Sequence, residues 1–295
     1  MSRIVANNTK TIAILASEAY LPQLRACITS IKKHFGLQVD INVAWFGDSM
    51  PMLPKGVFVH PAKSSEWAFP LGNTMEQVLG SRPAYIKFLM SKMHYHQVLH
   101  IGADVMFYSN SDWVFEAYKE ADTAACPHSC APYPNDGKKP NELQVHLTGH
   151  LNSDFVMYNA YKQTLDFLDF QIREHNKCFG NDPSQGYFYD QVWLAFLPYY
   201  TTCTLIKDPR INVAYYNLHE RQVIRTEKDQ YWVQIKELPN ILYQLTCFQF
   251  TGYNPSHPDT LSKYNSRLDI VNPDVVKLCL EYQEKLEEAG WRLQQ

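Results

Sequence analysis

The chain has 295 residues, 45% hydrophobic and 19% charged, which is enough to bury a sizeable core in one large domain or two small ones. A net charge of −3 with no long basic run argues against a general nucleic-acid binder, and no apolar stretch is long enough to span a bilayer. The opening MSRIVANNTK lacks the apolar centre of a secretion signal, and seven scattered cysteines fit a reducing compartment, so the expectation is a soluble cytoplasmic protein.

TIAILA (11–16) reads as a short buried strand. In the following YLPQLRACITSIKKHFG, Leu21, Leu24, Cys27, Ile28 and Ile31 recur at helical spacing and Gly36 supplies a stop. VDINVAWFGD is a second strand ending at Gly47-Asp48. PAYIKFLMSKMHYH is a helix with Tyr85, Phe88, Leu89 and Met93 on one face. VLHIGADVMFYSN (98–110) is the next strand, broken at Gly102-Ala103-Asp104, and Asp112 is placed to cap the helix WVFEAYKEA. CPHSCAPYPNDGKKPNEL is rich in Pro, Asn, Asp and Gly and reads as a long surface loop. NSDFVMYNA is a strand, while AYKQTLDFLDFQIREH and YFYDQVWLAFLPYY read as helices. NVAYYNLHER and LTCFQFTGYNP read as strands running into loops. The tail NPDVVKLCLEYQEKLEEAG is a helix capped by Asn272, with Val275, Leu278, Tyr282 and Leu286 on one face. Alternating strands and helices imply an α/β domain with a mainly parallel sheet.

Ligands of open α/β sheets bind outside the carboxyl ends of the strands. Ala16-Ser17, Gly47-Asp48 and Gly102-Ala103-Asp104 all fall at such ends, which predicts one cleft on one edge. Asp104 is either a solvated strand-end carboxylate or a ligand for a divalent cation against a diphosphate. His94, His96 and His100 do not make a zinc set, because His100 lies in the strand, and Cys126-Pro-His-Ser-Cys130 has too few ligands. Asp190, set among Tyr187, Phe188, Tyr189 and Trp193, is either a cap or a catalytic carboxylate. Asn152 and Asp154 are placed to bond sugar hydroxyls, with ordinary loop bonding as the alternative. A dinucleotide fingerprint, a phosphate loop, a nucleophile elbow and a zinc-protease motif are all missing from the sequence.

Taken in order, these pieces resemble the GT-A class of nucleotide-sugar glycosyltransferases. The likeness is clearest with bacterial and large-virus enzymes that build capsule, lipopolysaccharide or surface glycans, and extends more distantly to the glycogenin-like retaining family. VLHIGADVMFY resembles the strand that carries the D-x-D motif, HLNSDFVMYN is similar to the "fNsGvmlin" segment, and YFYDQVWL resembles the "DQ" helix. NVAYYNLHER and FQFTGYNPSHPDTLSKYNSR resemble the "NvAyWNLHER" and "FHFSGydP…LSkh..R" segments, and LASEAYL the stretch whose Tyr packs on uracil.

The resemblance implies one GT-A domain over 1–295, with a nucleotide-binding half near 10–125, a donor-sugar and acceptor half near 126–268, and a C-terminal helix over 269–295. It implies transfer from a UDP-sugar to a hydroxyl of a glycan acceptor, with the order of motifs leaning toward retention; in an inverting enzyme Asp190 would instead be the general base on the acceptor hydroxyl. Ala16, Ser17 and Tyr20 would contact the uridine, with Asp48, Arg82, Gly102 and Ala103 completing the nucleotide site. Asn152, Asp154 and Gln191 would address the donor sugar, Gln249 and Gly252 would lie near the phosphates, and Asp190, with Asp154 as alternative, would be catalytic. Asp104 would hold Mn²⁺ or Mg²⁺.

The sequence departs from the pattern at Gly102, where the first Asp of D-x-D is expected, and at Gln249, where the pattern has a metal-ligating His. Gln249 could still offer its carbonyl oxygen to the ion. Asp154 stands where Gly is usual. The two losses support a rival reading, a sugar-nucleotide-binding relative with impaired catalysis. A nucleotide-sugar hydrolase is a third.

Overall fold

The computed structural model describes residues 9–36, 38–258, 260–267 and 272–292. Most of the opening stretch read for a secretion signal (1–8), and the expected boundary at 268/269, lie outside the described residues. The first half alternates strands and helices: β1 (Lys10–Ser17), α1 (Leu21–His34), β2 (Val39–Phe46), β3 (Val57–Pro61), α2 (Thr74–Gly80), α3 (Arg82–Ser91), β4 (Gln97–Ile101), β5 (Val105–Phe107) and α4 (Trp113–Ala117). Then follow β6 (Thr123–Pro127), α5 (Glu142–Thr148), β7 (Leu151–Asn159), α6 (Lys162–Lys177), the two-residue strands β8 (Asn181–Asp182) and β9 (Tyr187–Phe188), α7 (Leu197–Tyr200) and β10 (Cys203–Leu205). The last part holds β11 (Arg221–Arg225), β12 (Tyr231–Ile235), β13 (Leu242–Gln244), β14 (Cys247–Gln249) and α8 (Pro273–Glu288).

Seven strands form the central sheet in the order β10-β6-β7-β4-β1-β2-β3. β1, β2, β3 and β4 run parallel, as do β6 and β10, while β7 is antiparallel to both of its neighbours. Strand alternation splits the core into two layers. Ile12, Ile14, Val43, Leu99 and Phe155 pack against α1 and α4. Ala13, Leu15, Val98, Val156 and Tyr158 pack against α3, α6 and α7. Helices therefore cover both faces, as expected.

A third cluster closes the C-terminal part. Val275, Leu278, Cys279, Tyr282 and Leu286 of α8 pack on Val223, Val233, Phe248 and Phe250. The Tyr282 ring stacks on Phe250 with centroids 3.8 Å apart, and Asn272 caps the helix by accepting the Asp274 N–H at 2.9 Å.

Three local expectations are corrected. The stretch 187–200 is not one helix: Tyr189 takes a left-handed backbone (φ 48°), donates its N–H to the Gly180 carbonyl, and separates β9 from a 3₁₀ segment, Gln191–Phe196. The stretch 212–219 is a run of turns, because the Asn217 side chain bonds the Asn212 carbonyl and the Ala214 N–H, and pairing resumes only at Arg221. Asp112 accepts the Gly36 N–H at 2.9 Å and does not cap α4.

Leu278 is fully buried under this third cluster. Leu278→Ala should lower unfolding stability by about 2–5 kcal/mol, read by denaturant titration; a loss near zero would show that α8 is not docked as described.

Candidate active site

Two strand pairings assemble a site around the Gly102-Ala103-Asp104 turn. β4 pairs with β7 up to Ile101 opposite Phe155, and the next N–H, that of Gly102, donates to the Asp154 carbonyl at 3.0 Å. β5 then runs antiparallel to β14 with Val105 opposite Gln249, and the Phe250 N–H donates to the Asp104 carbonyl at 3.0 Å. Residues 102–104, 154 and 249, far apart in sequence, are thereby fixed side by side at the carboxyl edge of β1, β2 and β4.

Arg82 is the first residue of α3. Its Nη2 donates to Asp154 Oδ1 at 2.5 Å, and its Nη1 donates to Asp190 Oδ2 at 2.9 Å and Ser153 Oγ at 2.6 Å. Side-chain exposures of 10% for Arg82, 22% for Asp154 and 6% for Asp190 mean that the ion pairs are largely desolvated. Burial alone would push the guanidinium down, but the Asp154 and Asp190 charges outweigh it and hold Arg82 firmly protonated. The two carboxylates expected to be catalytic are thus locked in place by one cation.

A polar network fixes the opposite side. Asn152 Oδ1 accepts the Asp154 N–H at 3.0 Å, which makes its Nδ2 the donor to Gln249 Oε1 (2.7 Å), Asn212 Oδ1 (2.6 Å) and Tyr216 Oη (2.9 Å). Tyr216 Oη lies 3.0 Å from the same Gln249 Oε1. The Gln249 carbonyl is therefore turned away from the carboxylates. Its Nε2 faces them, 2.8 Å from Asp154 Oδ2 and 3.4 Å from Asp104 Oδ1. Gln191, expected at the donor sugar, spends its amide on backbone: Oε1 accepts the Ser153 N–H at 3.4 Å and Nε2 donates to the Thr148 carbonyl at 2.7 Å.

Gly102 has no room for a side chain. A Cβ there would lie 2.9 Å from Asp104 Oδ1 and 3.0 Å from Asp154 Cγ. The carboxylate missing at 102 thus has its space filled by the additional one at 154.

These residues do not fit a divalent cation. Mg²⁺ and Mn²⁺ take oxygen ligands. Both Asp154 oxygens already accept N–H donors, Gln249 presents an N–H₂ group, and only Asp104 remains. Among the described residues no group of three or more His, Cys, Asp or Glu side chains could hold a metal ion. His100 is buried, with Nδ1 3.0 Å from the Ala13 carbonyl, and burial pushes it down to about 3.

Beside Asp104 lies a cavity of about 260 Å³ lined by Tyr20, Gly252, Lys263, Tyr282 and others. Tyr20, 47% exposed, offers an open ring, and partial burial followed by the Asp104 charge pushes its hydroxyl up to about 12. Gly252 turns with φ +75°, and its carbonyl accepts the Lys263 N–H at 3.0 Å. Lys263 is the one cation lining the cavity among the described residues, and sequence reading passed over it although it stands within the quoted LSKYNSR. Tyr282 and Leu286 were read only as core, because helical spacing does not reveal which buried residues also border a cavity. Ala16 and Ser17 end β1, Ala103 is buried in the core, and Asp48 is exposed and paired with Lys63 at 2.5 Å.

Burial, then the neighbouring Asp154, pushes Asp104 up to about 7. The folded protein therefore retains a proton that the unfolded chain releases near the ordinary Asp value, so stability falls as pH rises between about 4 and 7. Asp104→Asn should abolish that fall, which is at most about 1.4 kcal/mol per pH unit, in urea titrations across the window. Parallel wild-type and variant profiles would contradict the assignment.

No protein-family model and no curated protein matches the chain. Solved structures do. The galactosyltransferase LgtC, determined with donor and acceptor sugar analogues, superposes with a TM-score of 0.54 at 12% identity, over 96% of this chain and 97% of that one. The bifunctional glycosyltransferase WbbM, solved in its apo form, superposes with a TM-score of 0.53 at 12% identity, over 97% of this chain and 51% of that one. The chain has the GT-A fold that these glycosyltransferases share.

Proposed function

We propose that this chain is a glycosyltransferase that moves a sugar from a nucleoside-diphosphate sugar to a hydroxyl of a glycan acceptor. The observation that carries the reading is the Asp154–Arg82–Asp190 clamp at the carboxyl edge of the sheet, beside a cavity bordered by an open tyrosine ring and a lysine. The fold shared with LgtC, whose structure holds donor and acceptor sugar analogues, supports it.

In this reading a uracil base stacks on Tyr20, so UDP is the carrier, and the diphosphate lies toward Lys263 and the Gly252 turn. Breaking the glycosidic bond builds positive charge on the sugar, as in glycoside hydrolysis. It also builds negative charge on the departing diphosphate, which Lys263 stabilises. Asp190, held in place by Arg82, lies under the sugar and stabilises its cation, and this arrangement favours retention. Asp154 is the second carboxylate at the same centre, placed to bond sugar hydroxyls.

Asp190→Asn should cut transfer by about 10²–10⁴-fold while leaving UDP affinity within a few fold. Turnover is read as nucleoside diphosphate released from a panel of sugar nucleotides; near-wild-type turnover would remove Asp190 from the chemistry. Lys263→Ala should weaken UDP binding about tenfold by calorimetry, the loss of one charge-assisted contact. Unchanged affinity would place the diphosphate elsewhere.

A further inference from the structure

We propose that the Gln249 carboxamide stands in for a cation at this site: together with Arg82 it holds Asp104 and Asp154 in position, and the chain takes up its nucleoside diphosphate without a divalent metal. The metal half stands on the protein alone, and the nucleotide half rests on the function proposed above.

The direction of the amide is fixed by neighbours that cannot turn. Asn152 Oδ1 is committed to the Asp154 N–H, so Asn152 presents hydrogens to Gln249. Turning the Gln249 amide over would set its N–H₂ against those hydrogens and its oxygen against two carboxylates. As it stands, the Gln249 oxygen meets the Asn152 amide hydrogens and the Gln249 hydrogens meet Asp154 and Asp104, so the positive end of the amide dipole points between the two carboxylates. A divalent ion bound there would have to displace a hydrogen-bonded, 3%-exposed side chain and the Asp154 bonds to Arg82 and Gln249. A side chain at position 102 would crowd Asp104 and Asp154, which lie 2.9 and 3.0 Å from where its Cβ would be. Gln249 is on this account a positioning residue.

The direct test is a Mn²⁺ titration of the whole chain at about pH 8, followed by electron paramagnetic resonance of the free ion. Wild-type protein should leave the free-ion signal undiminished up to about 1 mM. Gln249→Glu supplies a third carboxylate in the same volume and should bind Mn²⁺ at least about tenfold more tightly than wild type. A role of Gln249 in packing alone would not create Mn²⁺ affinity, so equal binding by folded variant and wild type would overturn the proposal. So would micromolar Mn²⁺ binding by wild type, a result independent of whether the variant folds. Calorimetry of wild type should give UDP affinities within about twofold in chelator and in Mn²⁺, and strengthening by Mn²⁺ of about tenfold or more would overturn the nucleotide half. A chain that binds neither Mn²⁺ nor UDP would keep the metal half and remove the function proposed above.

Discussion

The site depends on one guanidinium. Arg82 bridges Asp154 on β7 to Asp190 at the start of the 3₁₀ segment, and it starts α3. Three elements distant in sequence meet at its nitrogens. A buried ion pair of this kind contributes little net stability, since desolvation offsets the attraction, but removing one partner leaves an uncompensated charge. Its value is positional, because both carboxylates are held in fixed places by one guanidinium.

Charge balance organises the rest. Asp154 and Asp190 share Arg82, whereas Asp104 is buried beside the Asp154 charge with only the Gln249 amide to offset it, so its proton is retained up to about 7. Lys263 lines the cavity as well, with its ammonium 5.0 Å from the Tyr264 ring centroid. One cation fixes the carboxylates, and the other is the one proposed to face a diphosphate.

Much of this was legible in the sequence. The unbroken apolar run of TIAILA and the helical spacing around Leu24 and Ile28 marked a sheet covered on both faces, because a strand buried on both sides has no polar face to alternate with. The ends of β1, β2 and β4 marked one edge. What could not be read was long-range pairing. That β5 would fold back on β14, and so set Gln249 beside Asp104, depends on register between segments over a hundred residues apart. The direction of the Gln249 amide was invisible for the same reason, since it is set by Asn152 and Tyr216. NVAYYNLHER misled because its aromatic and β-branched residues suit a strand, while Asn212 and Asn217 bind backbone and bend it. The departures at 102, 154 and 249, which looked like separate losses, form one compensated unit in space.

On the function proposed, the cavity at the carboxyl edge takes a nucleoside diphosphate whose sugar end reaches the Arg82 clamp. A crystal structure with UDP, grown in chelator, tests it most directly. A base stacked on Tyr20, a diphosphate against Lys263, and intact Asp154–Arg82–Asp190 contacts are expected. Nucleotide bound away from this cavity, or a clamp opened by it, would contradict the account.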